Sequence, residues 1–413
     1  MLLSESEFVE YLQPLLLGHA NPSQCGETVA QLVMSILCEP GDRVAGVFGR
    51  TLGYANLVSA LVARDGWTRV VETADPAKLS ELEETLNGRA GKYWDDAMER
   101  WLPRLSKHAF LDSLRWMTQQ QASTGIRHWV VPLESDAYPF GFDDLADGRP
   151  HALWGSGNPS VLAQQSAVSI VGARVASRYG VEVATDLSVV AAVAEIVTVS
   201  GGAYGIDEAV HRGAAKLEAP TVAYMAGGLG NLYPRGNVEL LRKVMHLGAV
   251  LSESAPEVVP AKWRFLMRNR LIAAHGAATV VVEAGKTSGA LRTARLAIDL
   301  DRTVAVVPGP ITSARSAGCH DLLNEHQSAV RLLARPQELP ELIGLSGNSQ
   351  PSLQGLGPLE RRALDSFQSG SLEPWEVQRL AGFNHVELQI ALGSLEMLGL
   401  IQRVGTRYLR ATG

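Results

Sequence analysis

Between residues 167 and 311, an apolar β-branched run stops five times on a small-residue turn and gives way to a helix-like stretch. The runs lie at 169–174, 197–202, 222–228, 280–285 and 304–309, closing on Gly172-Ala173-Arg174, Ser200-Gly201-Gly202, Ala226-Gly227-Gly228, Glu283-Ala284-Gly285 and Val307-Pro308-Gly309. Glycine-tipped strands that open helices on one edge of a sheet make backbone N–H groups converge where phosphate oxygens can be held. The expectation is an α/β core with a phosphate-facing edge.

A chain of 413 residues exceeds what one hydrophobic core organises, so two or three domains are expected. Residues 1–124 read as a helical N-terminal domain. Phe8, Leu12 and Leu15 recur at helical spacing, as do Val29, Leu32, Val33 and Ile36, with Trp94, Trp101 and Trp116 as core anchors. The α/β core takes 125–338. A linker rich in Gly, Pro and Ser takes 339–357. Residues 358–413 read as three helical pieces and a ribbon around Gly405, the pattern of a winged helix, with Leu388, Leu392, Leu395 and Leu398 as one stripe.

Charge limits the partners. The net charge of −6 places any polyanion site in a local cluster on an acidic body. The last module balances six bases (Arg361, Arg362, Arg379, Arg403, Arg407, Arg410) with six acids, so little counterion release is open to it. A protein-contact role is expected there ahead of duplex binding. Three cysteines, Cys25, Cys38 and Cys319, with no CxxC spacing, argue against a disulfide framework and against structural zinc. Acids at the N-terminus and the absence of any run near ~18 apolar residues point to a cytoplasmic chain with no membrane partner.

Three segments carry candidate chemistry. Gly172, Ala173 and Arg174 end a strand, where a guanidinium beside exposed N–H groups can fork a phosphate. Gly201, Gly202 and Gly205 permit positive φ and close approach to a ligand; Asp207 reads as a helix cap, and His211 as a packed histidine. The segment 261–270 holds four cations (Lys262, Arg264, Arg268, Arg270), two aromatics (Trp263, Phe265) and no acid. Phosphate neutralisation beside an aromatic face that stacks an unpaired base suits single strands better than duplex.

Two other signals fail. Gly285-Lys286-Thr287 resembles the end of a P-loop, yet Val280 stands where that loop needs its first glycine. The segment 155–160 approaches a dinucleotide fingerprint, but Pro159 spoils it. Glu253 and Glu283 at strand ends could serve a hydrolase as paired carboxylates; without a partner base, nucleophile or metal motif, a hydrogen-bonding role is expected. No metal and no cofactor are called for.

Taken in order, 170–174, 200–207 with His211, Tyr233-Pro234, Ser252-Glu253, Phe265 with Arg268-Asn269-Arg270, Val282-Glu283-Ala284, 288–291 with Thr293-Ala294, and Val307-Pro308-Gly309 resemble the DNA-processing protein A (DprA/Smf) family. The resemblance spans about residues 125–335. It implies an extended Rossmann-like core that binds single-stranded DNA without cleaving it, forms homodimers and loads the RecA recombinase on incoming strands in natural transformation. It also implies that Gly172, Ala173, Arg174, the turn 201–205, Lys262, Phe265, Arg268, Asn269 and Arg270 line the strand-binding pocket. Ala173, Gly202, Arg292 and His326-Gln327 depart from the family pattern. The alternatives are a nucleotide-phosphate hydrolase on a related core, using Glu283 or Glu253 but lacking that class's Pro-Gly-Gly-x-Gly-Thr loop, and a transcription regulator built on the C-terminal module.

Overall fold

The computed structural model describes residues 7–17, 25–345, 356–367, 371–404 and 406–410. In chain order the strands are β1 (His128–Pro132), β2 (Ala152–Gly157), β3 (Ala167–Val171), β4 (Val197–Ser200), β5 (Thr221–Tyr224), β6 (Ala249–Ser252), β7 (Ala278–Val281), β8 (Thr303–Val306), β9 (Val330–Leu332), β10 (Ile401–Val404) and β11 (Arg407–Arg410). All five runs that end on small-residue turns form strands, namely β3, β4, β5, β7 and β8. The chain divides into two compact units, residues 1–165 with 222–275, and residues 166–221 with 276–413.

In the first unit the strands run β1-β2-β6-β5, with β1–β2 and β2–β6 antiparallel and β5–β6 parallel. Among the described residues seven α-helices precede them, from Cys25–Leu37 to Lys107–Thr124. Asp42 starts the Arg43–Leu52 helix by accepting from the Val44 and Ala45 amides at 3.1 and 3.2 Å, and Gly53, at φ 86°, ends it. The helices and strands share one core, in which Phe48, Trp94 and Trp101 pack in the same cluster as Val130, Trp154 and Val250. Trp116 lies at the edge of this core, partly buried, its ring 5.7 Å from that of His128.

Two buried histidines make this unit acid-sensitive. His151 meets the Tyr54 hydroxyl at 2.9 Å and His275 meets the Tyr224 hydroxyl at 2.7 Å. Burial pushes each imidazole down from 6.5 to about 4. The unfolded chain therefore binds more protons than the native one between those values, so the stability is present above pH 6.5 and is lost as pH falls toward 4. Each histidine contributes on the order of 3 kcal/mol at most. Asp186, raised by burial to about 6, works in the opposite sense in the second unit. A thermal melt at pH 5 should begin below the melt at pH 7.5, and His151→Phe should flatten that difference.

In the second unit the strands run β4-β3-β7-β8-β9, all parallel. Helices Arg178–Val193, Gly289–Asp299 and Ala317–Glu325 make the crossovers between these strands, and the helix Ile206–Lys216 follows β4. Val168, Ile170, Leu187, Ile206, Val280 and Ala305 form the core. Parallel strands put every following turn on one edge, so the turns after β3, β4, β7 and β8 share it. Of the stretch read as a linker, Leu339–Leu342 is helical and Leu339 is buried in this core; 346–355 lie outside the described residues.

Helices Pro358–Ser366, Pro374–Ala381 and His385–Met397 follow, then β10 and β11 as an antiparallel ribbon. Leu364, Val377, Leu388, Leu392, Leu395 and Tyr408 form their own core, with Leu398 packed against it. Gly405, the centre of the sequence-predicted ribbon turn, lies outside the described residues.

Candidate nucleic-acid interface

The second unit sews its two glycine turns together through the main chain. The Ala173 amide donates to the Glu283 carbonyl at 2.7 Å, and the Ile206 amide donates to the Ala173 carbonyl at 3.2 Å. Beneath them Ser200 Oγ donates to the Ile170 carbonyl at 2.7 Å. Gly172 lies against the Ile206 side chain, and a Cβ there would come within 2.5 Å of Ile206 Cγ1. Positive φ is needed at two of the three expected glycines, Gly202 (66°) and Gly205 (83°), while Gly201 is buried in ordinary backbone. Arg174 is exposed at the tip, with exposed Tyr204 on the neighbouring turn.

Three polar residues around these turns serve the fold. Gly205 holds the position before the Ile206–Lys216 helix, and Asp207 is buried in its first turn, where the helix dipole favours a carboxylate. His211 is fully buried, with Nδ1 2.9 Å from the Thr221 hydroxyl. Glu283 accepts from the Ser177 amide at 2.9 Å and from Ser177 Oγ at 2.5 Å, both at the start of the Arg178–Val193 helix. Gly180 leaves room for it, since a Cβ there would come within 2.5 Å of Glu283 Oε2. Both oxygens of this carboxylate are thus engaged in pinning the strand end to a helix start, the hydrogen-bonding role expected of it.

In the first unit the basic segment forms the helix Lys262–His275. Its four cations do not act alike. Arg270 is buried, with Nη2 2.6 Å from Glu253 Oε1, and that same oxygen accepts from the Gly41 amide at 3.1 Å. Arg268 is buried and donates through Nη1 to the Tyr224 carbonyl. Arg264 forks the Glu39 carboxylate at 2.9–3.1 Å and donates through Nη1 to the Val259 carbonyl at 2.8 Å. Lys262 is exposed and has no ion pair among the described residues.

Helix geometry explains the division. At ~100° per residue, Arg264, Met267 and Arg270 share one face, and Lys262, Phe265 and Asn269 share the opposite one. On that second face Phe265 is half-buried, and its ring meets exposed Tyr233 edge-on at 5.5 Å. Asn269 is buried at its inner end. Sequence reading gave Tyr233 only as part of a Tyr-Pro motif, and its place beside Phe265 comes from the turn before the Val238–Leu247 helix. The charge count over 261–270 therefore overstates the cations facing solvent, because two acids distant in sequence, Glu39 and Glu253, draw Arg264 and Arg270 to themselves.

Among the described residues no group of three or more His, Cys, Asp or Glu side chains is placed to hold a metal ion. No helix there is long and apolar enough to cross a membrane.

Residues 129–341 match the family model described as DNA recombination-mediator protein A. A relative from Mycobacterium tuberculosis (strain H37Rv) is 42% identical over 247 residues, covering 59% of this chain and 61% of that protein. DNA processing protein DprA of Bacillus subtilis is 34% identical over 201 residues, covering 49% of this chain and 67% of that one. The X-ray structure of DNA processing protein A from Streptococcus pneumoniae superposes with a TM-score of 0.56 at 25% identity, over 76% of this chain and 97% of that chain.

Proposed function

The chain belongs to the DNA recombination-mediator protein A family, and from that premise we propose that it binds single-stranded DNA as a recombination mediator without catalytic turnover. The observation that carries this reading is the solvent face of the Lys262–His275 helix, where an exposed cation stands next to the Phe265–Tyr233 aromatic pair. A cation neutralises phosphate and an aromatic pair accepts an unstacked base, a combination that a duplex with its bases paired inside cannot use. The turns at Gly172, Ala173, Arg174, Gly201, Gly202 and Gly205 supply a second patch, with Arg174 as its charged tip. Arg268, Asn269 and Arg270 act in this reading from beneath the surface, holding the helix that presents Lys262 and Phe265.

The rest of the role follows the family resemblance: delivery of the RecA recombinase to the bound strand, and a homodimer as the working form. The neutral C-terminal module, with its three helices and ribbon, is in this reading a winged helix that contacts protein. On its third helix the exposed side chains include Val386 and Ile390, which suit a protein surface better than phosphates.

Fluorescence anisotropy with an unstructured oligonucleotide and a duplex of equal length tests the core of the proposal. Arg174→Ala and Lys262→Ala should each weaken single-strand binding and reduce the slope of log K against log salt by about 0.7, the share of one phosphate contact. Phe265→Ala should weaken binding by the ~1–3 kcal/mol of one stacked base and leave that slope alone. Equal affinity for duplex, or unchanged binding in both cation variants, would overturn the assignment.

A further inference from the structure

We propose that the turn Glu39-Pro40-Gly41, in the helical N-terminal part of the first unit, is a positioning clamp that sets how Lys262 and Phe265 meet a nucleic-acid strand. The inference rests on the single-strand reading above and gives a task to a segment otherwise without one.

The clamp grips the inward face of the Lys262–His275 helix at three successive levels. At the first level Glu39 accepts the Arg264 fork at 2.9–3.1 Å, while Arg264 Nη1 also fastens the Val259 carbonyl in the segment leading into the helix. At the second, Gly41 lies under Met267, and a Cβ there would come within 2.6 Å of Met267 Cε. At the third, the Gly41 amide and Arg270 Nη2 share Glu253 Oε1 at 3.1 and 2.6 Å. From 264 to 270 the helix rises ~9 Å, so these contacts fix its tilt and rotation as well as its distance.

The turn is itself anchored from behind. Arg104 pairs with Glu39 and donates through Nη1 to the Leu37 carbonyl at 3.2 Å, tying the turn to the end of the Cys25–Leu37 helix. Asp42, next in the chain, caps the following helix. Gly41 sits at φ 74°, where a side chain is strained. A rotation of the helix away from the clamp would carry Lys262 and Phe265 together, because they stand on the opposite face.

Arg264 is the residue on which a direct-contact explanation would be built, and its geometry argues for the clamp. Its guanidinium is bound on Nε, Nη1 and Nη2 by protein oxygens, and its side chain is 15% exposed. A phosphate would have to displace a bidentate carboxylate to reach it.

A double-mutant cycle separates the two. Glu39→Gln, Arg264→Gln and the double variant are titrated with unstructured oligonucleotide across a salt series, and each is melted thermally. The clamp predicts that each single variant binds ~5- to 10-fold more weakly, that the double variant is no weaker than either, and that the salt slope stays at the wild-type value. Tighter binding by Glu39→Gln together with a slope reduced by about 0.7 in Arg264→Gln would make Arg264 a phosphate contact and overturn the proposal. Wild-type affinity with only a lowered melting temperature would reduce the turn to a folding element and overturn it equally. Should Glu39→Gln fail to fold, Glu39→Asp keeps the charge on an arm one methylene shorter, and the same outcomes decide. A wild-type protein that binds no single strand would sink the parent reading as well, and is told apart by that fact.

Discussion

Glu253→Ala should lower the free energy of unfolding by about 3–5 kcal/mol, because it strands a buried cation. Glu253 and Arg270 are each 7% exposed and their closest atoms are 2.6 Å apart. Removing the carboxylate leaves the Arg270 guanidinium buried without its counter-charge and removes the acceptor of the Gly41 amide. Glu253 Oε2 and Arg270 Nε and Nη1 are buried without a hydrogen-bond partner among the described residues. Coulomb attraction in such a site repays desolvation only when the geometry and the remaining hydrogen bonds are good, so replacing both charges with apolar groups should cost much less than removing one. The double variant Glu253→Met, Arg270→Met is therefore expected to be more stable than Glu253→Ala in chemical denaturation. If the single variant melts like the wild type, the pair contributes nothing to stability.

The same pair shows where sequence reading reaches its limit. Strands β3, β4, β5, β7 and β8 were legible because a β-branched run and the glycine that stops it are neighbours in the chain. The basic-aromatic segment 261–270 was legible because its residues are neighbours in the chain, as was the stripe Leu388-Leu392-Leu395, and His211 was read as packed. What a cation does once the helix exists was not legible. Arg264 is held by an acid 225 positions away, and Arg270 by one whose strand lies outside the helix pattern altogether. Composition sums charges along the chain, whereas burial sums them through space, and in this segment only Lys262 remains with its charge in solvent and no ion pair among the described residues. The N-terminal helices were visible as periodic apolar positions, but their sharing a core with Val130, Trp154 and Val250 depends on packing that periodicity does not encode.

Gly205→Val should remove most single-strand affinity while leaving much of the parallel sheet in place. Gly205 stands at φ 83°, ψ −120°, a region nearly closed to residues with a Cβ, and a β-branched residue forced there costs on the order of 1–3 kcal/mol in strain alone. Space forbids it as well. A Cβ would come within 2.6 Å of the Arg174 carbonyl oxygen and closer still to that of Ala173, both backbone atoms with no rotamer to yield. Relief requires the turn after β4 to move off the turn after β3, which breaks the Ile206 amide bond to the Ala173 carbonyl and displaces Arg174 with its peptide. The expected result is a loss of single-strand binding of at least ~10-fold, the ~1.4 kcal/mol equivalent of displacing the turn that carries Arg174. Gly393 provides the control. It lies inside the His385–Met397 helix with nothing within 4 Å of a Cβ, so Gly393→Ala should stabilise by ~0.5–1 kcal/mol and leave strand binding unchanged. Full affinity in Gly205→Val, measured on protein that melts cooperatively, would show that the glycine turns do not contribute to the strand site and would leave the Lys262–His275 helix as its whole basis.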